Sequence, residues 1–101
     1  MEDILLLVLG IMISVMGVVN ITGNISTIHA YNRRRVTEEN VPKYGKAMGT
    51  GTLIIGAALI LGYFLQLAGC PEAVKPVLGA AVLAGLCFML YAQLKYNKGI
   101  F

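Results

Sequence analysis

The chain has 101 residues, of which 57% are hydrophobic and only 13% charged, and its mean hydropathy is +0.77. A soluble domain carries about twice that share of charge, so a water-soluble fold of this size would lack the polar side chains to cover its surface. The formal charge of +3 arises from basic residues beside apolar runs, which reads as membrane topology rather than nucleic-acid binding.

The composition predicts an all-α membrane protein of one domain, residues 1–101, with three transmembrane helices and a short interfacial helix between the first and second. The first span is expected over residues 4–21. It is rich in Leu, Ile and Val, free of proline and charge, and close to the roughly 20 residues a bilayer requires. A secretory leader would begin with basic residues and end at a small-residue cleavage site. This chain begins Met1-Glu2-Asp3, and the run is read as a retained span. Past residue 21 a mixed stretch continues, with Thr22, Asn24, Ser26 and Thr27 alternating with isoleucines. At helical spacing Gly10, Ser14, Gly17, Asn24 and Thr27 fall near one side. That side reads as a packing stripe; with Asn20 it would alternatively line a polar cavity.

Residues 29–47 form the one strongly polar segment and read as a cytoplasmic connector. Its basic or titratable members are His29, Arg33, Arg34, Arg35, Lys43 and Lys46, opposed by Glu38 and Glu39. Thr37, or alternatively Asn40, caps the expected short helix, and the glutamates complement its dipole. Pro42 is tolerable only near a helix start. Val41, Tyr44 and Met48 recur at about one turn and are expected to rest on the membrane surface, with Gly45 and Gly49 allowing a bend into the second span. Tyr31, Asn32, Arg33, Arg34, Arg35, Tyr44 and Lys46 are the candidate contacts to lipid headgroups or a partner.

The second span is expected over residues 48–67, with Gly45-x-x-x-Gly49 and Thr52-x-x-x-Gly56 as close-packing spacings. Tyr63, Phe64 and Gln66 mark the approach to the far interface. A breaker-rich turn holding Gly69, Cys70, Pro71 and Pro76 leads to a third span over residues 76–94, which carries Ala81-x-x-x-Gly85. Tyr91, Lys95, Tyr96 and Lys98 close it as an aromatic and cationic anchor. Basic residues gather in the connector and after the third span. The positive-inside rule then puts the connector and C-terminus in the cytoplasm and the N-terminus outside, in a cell membrane. Cys70 and Cys87 lie about 25 Å apart along a helix, too far for an internal disulfide. Cys70 could pair between chains, and Cys87 reads as packing.

The connector pattern Tyr31-Asn32, Val36-Thr37-Glu38-Glu39, Tyr44-Gly45-Lys46 and Met48-Gly49, followed at once by an apolar span, resembles an uncharacterised family of small integral membrane proteins, mainly from Gram-positive bacteria. The resemblance covers about a third of the chain by motif. It departs from the family at the arginine triplet. It implies location and architecture, but no reaction; Tyr31 and Tyr44 would anchor the two ends of the connector at the interface.

A lone His29 has no clustered ligands to hold a metal. There is no phosphate-cradling loop, no nucleophile with a base, and no paired catalytic carboxylates. Neither a catalytic residue nor a cofactor is expected, so the chain does not read as an enzyme. The leading expectation is an integral membrane protein that acts by helix–helix association with itself or a larger membrane partner. Ser14, Gly17, Asn20, Asn24, Thr27, Gly49, Gly56 and Gly85 are the candidate packing or lining residues. An oligomeric transporter or channel lined by Asn20, Asn24 and Thr27 is the second reading. A membrane immunity or accessory protein for a secreted toxin is the third.

Overall fold

The computed structural model describes residues 2–25 and 36–98, and every described regular element is helical. The order is α1 (Glu2–Ile21), a 3-10 turn (Glu38–Asn40), α2 (Val41–Leu67), a second 3-10 turn (Pro71–Ala73) and α3 (Val74–Tyr96). Three stretches, Ile4–Ile21, Glu38–Leu67 and Pro71–Tyr96, are long and apolar enough to cross a membrane. Helices suit that solvent because each backbone polar group left unpaired in hydrocarbon costs several kcal/mol, and a helix pairs them internally.

α2 is the middle element, with α1 packed on one side and α3 on the other, in an elongated unit of 47 × 19 × 18 Å. At 27 residues it is about 40 Å long, some 10 Å more than a hydrocarbon core. The short interfacial helix expected before the second span is not a separate element among the described residues. Instead the 3-10 turn runs into α2, which continues unbroken through Gly45 and Gly49. Thr37 precedes the 3-10 turn in extended conformation, and its carbonyl accepts from the Asn40 N–H at 2.9 Å. Neither Thr37 nor Asn40 makes a side-chain capping bond. Pro42 sits in the first turn of α2, where its missing N–H leaves no bond unmade.

Glycine sets how closely the helices approach. Gly17 of α1 and Gly49 of α2 face each other, as do Gly10 and Gly56. A Cβ on Gly17 would come within 2.8 Å of the Gly49 carbonyl oxygen, and one on Gly10 within 2.9 Å of the Gly56 carbonyl oxygen. On the other side of α2, Gly51 and Gly85 of α3 oppose each other in the same way. Overpacking such contacts costs about 1–3 kcal/mol. Close backbone approach is how helices associate where apolar burial gives little driving force. The α1–α2 glycines recur every seven residues on both helices, the spacing that keeps a seam in register along a left-handed pair.

Many of the large apolar side chains point outward. Leu5, Met12 and Val15 of α1, Leu61 and Leu67 of α2, and Leu83 and Leu94 of α3 are all exposed. In water this would be a liability; in a bilayer it is the lipid-facing surface.

Candidate functional site

The buried core lies at one end, where the start of α2 meets the ends of α1 and α3. Ile25, Tyr44, Met48 and Ala92 form it, with Val36, Val41, Ala47, Met89 and Tyr96 packed around them. Tyr44 is fully buried, and its hydroxyl donates to Oε1 of Gln93. Asn20, Gln93 and Asn97 are buried beside this core. Asn20 Nδ2 donates to the Asn24 carbonyl at 2.9 Å. The Tyr44–Gln93 bond thus ties the start of α2 to the end of α3, and the Asn20–Asn24 bond closes the end of α1 on itself.

This arrangement corrects one expectation. Val41, Tyr44 and Met48 do not lie on the membrane surface as a lipid-contacting stripe. Tyr44 and Met48 are core, and Val41 packs against it, so Tyr44 is unavailable as a lipid or partner contact. Lys46 is exposed. Tyr31, Asn32, Arg33, Arg34 and Arg35 lie outside the described residues, as do His29 and Thr27.

The packing candidates divide between the two seams. Gly17 and Gly49 face each other, and Gly56 faces Ser14 as well as Gly10; Gly85 serves the α2–α3 seam. The Ser14 hydroxyl is buried there with no hydrogen-bond partner among the described residues. Asn20 is buried at the helix end, and Asn24 is exposed just beyond it. Sequence reasoning passed over Gly51, Gln93 and Asn97. The available signal was polarity: Gln93 interrupts an apolar run, and Asn97 follows four residues on, just past the end of the helix, at the spacing of one helical turn.

On the other flank of α3, a groove of about 280 Å³ opens between α2 and α3. Lys43, Lys46, Ala47 and Thr50 line one wall; Phe88, Tyr91 and Tyr96 line the other. A second cavity, of about 290 Å³, shares Phe88 and Tyr91 with it and adds Cys87. Lys95 Nζ donates to the Tyr91 hydroxyl at 3.0 Å and stands 5.3 Å and 5.7 Å from the ring centres of Tyr91 and Tyr96. The Thr50 hydroxyl is returned to the Lys46 carbonyl at 2.6 Å, which satisfies it within its own helix. Cys87, expected as packing, is exposed, and so is Cys70; both are free thiols. Among the described residues no cluster of His, Cys, Asp or Glu has the make-up of a metal site.

No protein-family model matches the chain, and neither a curated protein nor a solved structure is significantly similar to it.

Proposed function

We propose that this chain is a non-enzymatic multi-pass protein of the cell membrane that works by helix–helix association, with itself or with a larger membrane partner. One observation carries the reading. Gly10, Gly17, Gly49, Gly51, Gly56 and Gly85 are all taken up by contacts inside the chain, whereas Gly79 of α3 has nothing within 4 Å of where its Cβ would stand. A glycine inside a helix costs about 1 kcal/mol relative to alanine, and inside the chain Gly79 returns nothing for that cost. With Leu83, Leu86 and Leu90, all exposed, it makes an open ridge at helical spacing. At Gly79 an approaching helix meets no side chain, which permits close backbone contact at that point.

The connector and the end of α3 lie on the cytoplasmic side in this reading, because their lysines and the arginine triplet follow the positive-inside rule. The first turns of α2 sit at the headgroup level, since the helix is longer than the hydrocarbon core. Asn20 serves to close α1 rather than to line a pore, since its amide bonds back to the chain four residues on.

Site-directed cross-linking in native membranes tests the proposal. In a Cys70→Ser/Cys87→Ser background, Leu83→Cys should yield one adduct of defined mass, either a dimer or a complex with a single partner. Gly79→Ile should abolish that adduct while the purified chain keeps its helix content. A chain that stays uncross-linked from every position on the ridge overturns the reading.

A further inference from the structure

The groove between α2 and α3 carries a one-sided charge. Lys43 and Lys46 line it, and among the described residues no carboxylate does. Lys95, held against the Tyr91 and Tyr96 rings, adds a third ammonium group at the rim. At the helical rise Lys46 stands about 32 Å from Leu67, at the far end of α2, and Lys43 about 36 Å. Both therefore sit at the headgroup level of a bilayer whose hydrocarbon core is about 30 Å thick. Phe88 stands two turns of α3 before Tyr96; the Gly51–Gly85 and Tyr44–Gln93 contacts set it level with Met48, about half a turn inside Lys46, and the open surface it shares with Cys87 and Tyr91 has apolar walls. A cationic end therefore opens at headgroup depth and continues into an apolar end just inside it.

We propose that this groove seats one anionic glycerophospholipid, with its phosphate between Lys43 and Lys46 and an acyl chain along Phe88 and Cys87. The charge complementarity selects the occupant. A zwitterionic lipid would bring its own cation toward three ammonium groups, and a free phosphate would leave the apolar end unfilled. Aromatic hydroxyls at this depth suit a headgroup neighbourhood, and surface lysines each add about fivefold to the affinity for an anionic lipid.

The full chain, delipidated in a mild detergent, should be titrated with dioleoylphosphatidylglycerol and with dioleoylphosphatidylcholine and observed by native mass spectrometry. The expected result is one phosphatidylglycerol per chain, bound at least tenfold more tightly than phosphatidylcholine. Lys43→Gln/Lys46→Gln, at two exposed side chains, should weaken phosphatidylglycerol on the order of twentyfold and leave phosphatidylcholine unchanged. Cys87→Trp, which fills the apolar end, should weaken both lipids. Arg33→Gln/Arg34→Gln/Arg35→Gln should leave the preference intact, and millimolar inorganic phosphate should not displace the lipid. Equal binding of the two lipids overturns the proposal. So does a preference that survives the lysine changes, one that vanishes with the arginine triplet instead, or displacement by phosphate alone. Circular dichroism of each variant separates lost binding from lost folding.

Discussion

Tyr44 shows how one side chain can change its meaning between sequence and structure. A tyrosine among lysines at the edge of an apolar run is the ordinary mark of an interface anchor. Here it turns inward, loses all exposure and donates to Gln93 on α3. The sequence separation of 49 residues is why no local pattern shows the contact. A hydrogen bond between transmembrane helices averages only about 0.6 kcal/mol in double-mutant cycles and reaches about 1.7; stranding a buried acceptor adds to the loss. Tyr44→Phe keeps the ring and its packing, so it isolates the hydroxyl. It should lower stability by about 1 kcal/mol, read from unfolding in detergent. Gln93→Leu should cost a similar amount, and the two together should cost less than their sum. Strict additivity would mean that the ring, not the bond, holds this end together.

At the scale of the element, where the helices stop was more legible than where they begin. Helices α1 and α2 end at Ile21 and Leu67, where the apolar runs of the sequence also end. Two residues beyond each stands a glycine with positive φ, Gly23 at 103° and Gly69 at 83°. In both cases a paired closure follows. Asn24 donates to Val19 and Gly23 to Asn20; Cys70 donates to Leu65 and Gly69 to Gln66. This is the six-to-one and five-to-two pattern that satisfies the last carbonyls of a helix. The start of α2 was hidden, because Lys43 and Lys46 depress the local hydropathy while leaving helical hydrogen bonding untouched. Hydropathy reports which solvent a residue meets, not whether its backbone is helical. The glycine pairs were half visible for a related reason. Spacing within one helix shows that Gly49 and Gly56 are small, but only the fold shows that they meet Gly17 and Gly10. At the end of α3 the same left-handed position is filled by Lys98, with φ of 62°, a conformation that costs an L-residue about 1–2 kcal/mol and glycine almost nothing. Gly69→Ala should therefore destabilise the chain by about 1 kcal/mol, and Lys98→Gly should leave stability level or raise it by a similar amount. Thermal unfolding of both variants in one detergent gives the comparison. A loss on Lys98→Gly would show that the lysine side chain contributes more than its backbone costs.

For the molecule as a whole, the two ends differ in kind. The connector end gathers the buried core, the polar fastening and the lysines of the groove. The other end is a turn between two breakers, with Cys70 exposed and Pro71, Glu72 and Ala73 in a single 3-10 turn. The asymmetry matches a bilayer in which anionic lipid and the cytoplasm lie on the lysine side. It also places three thiol positions at three depths. In the proposed orientation Cys70 belongs to the outer turn, Cys87 to the apolar wall of α3, and a thiol at position 43 to the inner headgroup level. A maleimide that cannot enter cells should label Cys70 in intact cells. It should reach Lys43→Cys, tested in a Cys70→Ser/Cys87→Ser background, only after the membrane is opened. Cys87 should stay slow in both conditions, because a polar reagent that cannot cross the membrane does not enter its hydrocarbon either. Labelling at position 43 in intact cells with Cys70 protected would invert the topology. The groove would then face the outer leaflet, while the packing of the three helices would stand unchanged.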